Sequence, residues 1–251
     1  MLKSKKSGFS LVELSIVIII IGLLFVGVSG GSKLIKSAKL NKIMRDISAV
    51  DTSFLAFLQA YDAYPGDFKD ATTFWGTTGV ADGDGDGKIE INDGAAATGN
   101  DEVSNGLLHM QKAELIDGTF DIVIQNSSYA MKGELNSKLV LANEANSAGT
   151  SLGGFNSSLS GQNLIVLGRT NSAARSTGDA GAGSAFISPR DLYSLDSKFD
   201  DGNAVGGKIS FRDETAGGGN VTPATCADAT SGVYVGSETD GCNMIYKMKI
   251  R

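Results

Sequence analysis

From Phe9 to Ser32 the chain is almost unbrokenly apolar, and Glu13 is the single charged residue in the stretch. Twenty-four helical residues rise about 36 Å, more than a hydrocarbon core of about 30 Å, so the run predicts a membrane-spanning helix over residues 9–31. The pattern then changes period instead of stopping. Ile43, Ile47, Val50, Phe54, Phe57 or Leu58, and Tyr61 recur every three or four positions, which continues the helix as an amphipathic half over 32–62. "YDAYPGDF", with Pro65 and Gly66, stops it. Beyond it, residues 63–251 read as a globular domain of short elements. "VSNGLLHMQKAELIDG" predicts a short helix and a turn, packing through Leu107, Leu108, Met110 and Leu115. "FDIVI", "LIVLG", Lys208–Phe211 and a terminal edge strand in "MIYKMKIR" fit antiparallel strands between polar turns. The expected class is α+β: one long N-terminal helix packed on an antiparallel β-sheet.

Composition narrows this. A chain of 251 residues holds one sizeable domain with at most a small appendage, and its 33 glycines sit mostly outside the apolar run. The net charge of −6 becomes −9 once the three lysines of the first eight residues are set aside. That balance argues against nucleic acid as a general partner, while leaving a local binding stripe open. Lys33, Lys36, Lys39, Lys42 and Arg45 form a cationic ladder that either meets lipid headgroups and acidic faces or is simply a solvated helix face. It carries more positive charge than the leader, against a plain positive-inside count. No nucleophile, base and orienting group come together in the sequence, so the reading is not an enzyme. His109, the one histidine, is expected to be a partly buried hydrogen-bonding residue.

Lys3, Lys5 and Lys6 precede the apolar run, which is longer than that of an ordinary secretory signal. Glu13 inside a packed apolar helix bundle requires a cation or a donor; the alternative is an interfacial carboxylate with no special role. The stretch "KSGFSLVELSIVIIIIG" resembles the cleavage and methylation signature of type IV pilins and type II secretion pseudopilins. The resemblance implies that residues 1–8 are a leader, that a prepilin peptidase cuts after Gly8 and methylates Phe9, and that Glu13 registers subunits during assembly. Gly22 also falls where the family usually has glycine, whereas Gly30 stands where many major pilins have a kinking proline; Gly27, Gly30 and Gly31 either bend the helix or are ordinary helix glycines.

What the resemblance implies for function is a pilin-like subunit that self-associates into a helical filament of the type IV pilus kind. Its partners would be the peptidase, an inner-membrane assembly platform, and the membrane before assembly. Its place would be the inner membrane as precursor, then an extracellular pilus or periplasmic pseudopilus. A minor pilin or pseudopilin is the near alternative, and a membrane-anchored, calcium-dependent adhesive module is the alternative of a different class.

"DGDGDGKIEIND", residues 82–93, has the ligand offsets of an EF-hand-type loop: Asp82, Asp84 and Asp86 at positions 1, 3 and 5, the Lys88 carbonyl at 7, Glu90 at 9 and Asp93 at 12. Gly87 at position 6 permits the sharp turn, and Ile89 points inward as an anchor. The loop suggests Ca2+, although Asp93 is shorter than the usual glutamate, no helix pair flanks the loop, and an Asp/Gly turn without metal is the alternative. Asp196, Asp200 and Asp201 form either a second cation site or a turn cap. Cys226 and Cys242 lack the paired knuckles of a zinc site and predict a disulfide if the chain is exported, or two thiols otherwise.

Overall fold

The computed structural model describes residues 8, 10–89, 102–118, 131–143, 162–168, 185–213, 226–228, 230–236 and 241–248. The strand expected at "FDIVI" lies outside them. The elements are α1 (Leu11–Tyr61), α2 (Ala71–Trp75), α3 (Glu102–Lys112), β1 (Met131–Lys132), β2 (Lys138–Asn143), β3 (Asn163–Gly168), α4 (Pro189–Phe199), β4 (Ile209–Asp213) and β5 (Cys242–Lys247), with a 3-10 turn at Glu134–Asn136. The chain divides into two compact units, residues 1–41 and 42–251.

In the first unit the helix starts on a reciprocal cap. Ser10 Oγ accepts the Val12 amide at 3.4 Å, and Glu13 Oε2 reaches back to accept the Ser10 amide at 2.9 Å. This Ser-x-x-Glu arrangement satisfies helix-end donors that would otherwise lack partners. From Leu11 to Phe25 the described apolar side chains all stand exposed, Ile20 at 51% and Leu11 at 85%. The helix passes Gly22, Gly27 and Gly31 without interruption, and a Cβ at any of the three would meet nothing within 4 Å.

The expectation of a transmembrane helix is corrected here. Among the described residues, no helix is long and apolar enough to cross a membrane. The inner-membrane placement of a precursor, and the extracellular or periplasmic location that followed from it, lose their basis with the span.

The second unit is α+β. Its antiparallel sheet has the order β1-β2-β3-β5-β4. β2 pairs with β3 from Lys138↔Gly168 to Asn143↔Asn163, and β5 pairs with β3 on one side and β4 on the other. The terminal strand is therefore interior, where an edge had been expected. Its composition explains the placement: Cys242–Tyr246 and the whole of β3 are buried, as continuous strands covered on both faces require. α3 packs against β2 and α4 against β5. Gly106 lets α3 approach closely, since a Cβ there would stand 3.0 Å from Leu141 Cδ1.

The helical residues of this unit, 42–61, bury the stripe Ile43, Ile47, Val50, Phe54 and Phe57. Asp51, also buried, accepts a hydrogen bond from the Tyr246 phenol of β5. Lys42 bridges Glu134 at 2.9 Å and Asp46 at 3.6 Å, with the Glu134 contact chiefly responsible for raising the ammonium pKa.

Candidate functional site

Three groups of residues singled out by the sequence take shape in the structure. At the N-terminus, Gly8 is exposed and a Cβ on it would meet nothing within 4 Å, while Phe9 lies outside the described residues. Glu13 is engaged within its own chain as the helix-start cap.

The acidic loop is organised by residues that its linear spacing does not show. Asp67, in the turn after α1, is buried. Its Oδ1 accepts the amides of Gly85 at 2.6 Å and Asp86 at 3.1 Å, and its Oδ2 accepts that of Gly87 at 2.8 Å. Gly85 and Gly87 hold φ of +77° and +90°, which aims successive amides at one carboxylate; a side chain at either would strain the turn. Glu102, from the first turn of α3, accepts the Asp84 amide at 3.0 Å. Carboxylate oxygens of Asp67, Asp84 and Glu102 converge within 4.8 Å of one another.

Of the described residues at EF-hand offsets, Asp84 alone enters this cluster. Asp82 is occupied by Thr72, whose amide and hydroxyl both donate to it at 2.7 Å. Asp86 pairs with Lys88 Nζ at 2.5 Å, and Glu90 and Asp93 lie outside the described residues. Ile89 is fully buried, with its amide on Asn163 Oδ1 and its carbonyl on the Asn143 amide, so the loop is pinned to the paired ends of β2 and β3. Burial is the main reason the Asp67 pKa rises; the Gly87 and Gly85 amides lower it, and Asp86 and Asp84 raise it further.

His109 ties this region together and is fully buried. Its Nδ1 accepts the Gly66 amide and its Nε2 donates to the Ala81 carbonyl, both at 3.0 Å, which fixes the Nε2–H tautomer. Burial pulls its pKa down to about 4. With both ring nitrogens held by main chain, it ties the Gly66 turn to Ala81 at the start of the acidic loop and offers no lone pair to a substrate.

The second cluster lies at the end of α4. Asp196, Asp200 and Asp201 bring carboxylate oxygens within 4.8 Å of one another, a spacing that can chelate a divalent cation. Asp196 is fully buried; it accepts the Tyr234 hydroxyl at 2.7 Å and the Gly202 amide at 3.3 Å. Burial, opposed by these two hydrogen bonds and reinforced by Asp200 and Asp201, lifts its pKa to about 6. Asp200 Oδ2 accepts the amides of Lys208 and Ile209, which fastens the cluster to the start of β4. Nearby, Cys226 and Cys242 form a buried disulfide with a Cα–Cα distance of 5.1 Å. It joins the turn at 226–236 to the first residue of β5.

Asp67 and Glu102 had no signal in the loop's own spacing. The signals they do carry are general ones: an acidic residue in the turn after a long helix, and a glutamate in the first turn of α3. α4 is announced more plainly by Ser188-Pro189 followed by Asp191, a cap, an N1 proline and an acidic first turn.

Residues 3–29 match the family described as Prokaryotic N-terminal methylation motif. No curated protein and no solved structure matches the chain. The motif is consistent with pilin-like processing and implies a peptidase acting at the N-terminus.

Proposed function

We propose that this chain is a noncatalytic structural subunit that loses residues 1–8 as a leader and polymerises through its N-terminal helix into a type IV pilus-like filament. The observation that carries the reading is the methylation motif at residues 3–29, set on a helix whose apolar side chains are exposed in the single chain. Fully burying an isoleucine, leucine or valine side chain is worth about 1.5–3 kcal/mol, so helices of neighbouring copies have a strong drive to cover one another. Among the described residues, a Cβ at Gly22, Gly27 or Gly31 would meet nothing within 4 Å, and such small residues suit close helix approach between copies.

Cleavage after Gly8 frees an amine on Phe9, beside the Glu13 carboxylate of an adjoining copy. The further reading that residues 42–61 lie against the sheet, as in a pilin fold, is supported by the buried stripe Ile43–Phe57 and by the Asp51–Tyr246 hydrogen bond.

A divalent cation belongs to the proposal as a support of the folded unit. Two oxygens bound to one Ca2+ at about 2.4 Å lie no more than about 4.8 Å apart, which the Asp67, Asp84 and Glu102 oxygens satisfy. Asp196, Asp200 and Asp201 satisfy it too. Ca2+ should raise the melting temperature relative to EDTA, with Asp84→Asn removing part of the rise; equal melting with and without Ca2+ would remove the cation from the account.

The test of the main proposal is the intact mass and abundance of the chain in a sheared filament fraction. A dominant species beginning at Phe9 with one added methyl group supports it, and a trace species would shift it to a minor pilin or pseudopilin. An intact Met1 form sinks it. Because Gly8 has open space around it, Gly8→Ala leaves the fold alone and should block cleavage; normal-sized mature chain from that variant would place the cut elsewhere.

A further inference from the structure

Between the first turn of α4 and the turn at residues 231–236 lies an open cavity of about 580 Å³. Tyr193 and Tyr234 line it, their ring centroids 5.7 Å apart and their planes at 56°. Tyr193 is half exposed. Immediately behind the wall stands the carboxylate cluster. The Tyr234 hydroxyl and the amide of Gly202, both lining residues, donate to Asp196, and the amide of the lining residue Asn203 donates to Asp201 at 2.8 Å. Asp200 completes the cluster, with its oxygens within 4.8 Å of the others. The cavity is thus lined by two tilted tyrosine rings and backed by three acidic side chains, of which Asp196 and Asp201 are hydrogen-bonded to lining residues. Arg190, exposed in the lining, is the opposing charge.

We propose that this cavity binds an organic cation, an alkylammonium or quaternary ammonium group seated against Tyr193 and Tyr234. The face of an aromatic ring carries negative quadrupole density and attracts a cation within about 6 Å of its centroid. A hydroxyl donating to a carboxylate enriches the ring further, and the carboxylates behind it favour the same sign of ligand. An anion would meet these carboxylates, against which the described lining sets one cationic side chain, Arg190. A neutral ring could stack on the tyrosines but would gain nothing from the acids. A small hydrated metal ion would seek the carboxylate oxygens directly and leave the rings unused. The site stands apart from filament assembly, so it can be tested whatever becomes of that proposal.

The probe is choline, titrated into the full chain in EDTA and followed by tyrosine fluorescence or NMR, alongside its uncharged isostere 3,3-dimethyl-1-butanol. Choline should bind saturably and the isostere at least about tenfold more weakly, the scale expected of a cation–aromatic site. Tyr193→Ala should abolish the choline response with the melting temperature retained. Arg190→Ala should tighten choline binding by removing the like charge. No saturable choline response, equal binding of choline and the isostere, or weaker choline binding to Arg190→Ala would overturn the proposal. The Arg190 comparison and the isostere pair keep it decidable even if Tyr193→Ala fails to fold.

Discussion

Glu13 has one observed local role and one proposed role in assembly, and the two can be told apart. In the proposed filament it pairs its charge with a neighbouring copy, while in the single chain it closes the helix-start cap on the Ser10 amide. The two separate by substitution. Glutamine at this position can still accept the Ser10 amide but has no charge, so Glu13→Gln should keep the helix start and still lower filament yield. Glu13→Ala should lose both, with the helix end weakened by about 0.5–2 kcal/mol, the range for capping losses. Wild-type yield from correctly processed Glu13→Gln would leave only the local role.

His109 makes a second residue-scale prediction. It binds a proton near its ordinary 6.5 when unfolded but only near about 4 in the fold. The unfolded chain therefore holds more protons between those values, and the stability that neutral His109 contributes is present above about 6.5 and lost as pH falls through about 4. A melting series from pH 7.5 to 4 should show the decline. His109→Gln, which can donate and accept but does not titrate, should be less stable at neutral pH and flatter across the series; a parallel curve would remove His109 as the cause.

At the scale of elements, local signals and tertiary demands can be weighed separately in α4 and β5. Ser188 accepts the Asp191 amide at 3.3 Å and donates to the Asp191 carboxylate at 2.7 Å, while Pro189, Leu192 and Leu195 turn inward. Ser188→Ala should cost about 0.5–2 kcal/mol and lower the melting temperature without changing the helix content of the native state. An unchanged melting temperature would mean that packing of the buried face holds α4 without its cap. β5 obeys a different logic. An edge strand was expected in "MIYKMKIR", but the strand inserts between β3 and β4 and buries every residue from Cys242 to Tyr246. No local rule reveals which earlier strands will flank it.

For the whole molecule, the disulfide is the covalent restraint among the described residues: it fastens Cys226 to an interior strand and sits beside the bridge that holds Tyr234. Closing a loop of this size is worth about 2–4 kcal/mol. Replacing both cysteines by alanine should lower stability by that order, read as the shift in a urea unfolding midpoint. A shift near zero would show that the strand pairings of β5 hold this corner of the fold unaided.

What the sequence determined by itself was whatever depends on neighbours along the chain. The helical period from Ile43 to Phe57, the stop at Pro65-Gly66, the motif at residues 3–29 and the strand at Leu164–Gly168 are all local, because helix and strand periods fix which side chains share a face. The tertiary structure alone decided which carboxylates meet. Asp84 joins Asp67 and Glu102, while Asp82 and Asp86 turn to Thr72 and Lys88. Those choices are made by a buried histidine that draws the Gly66 turn and Ala81 together, and by asparagines at the ends of β2 and β3 that hold Ile89. Such partners are distant along the chain and share no period, so only the closed fold could bring them to one place.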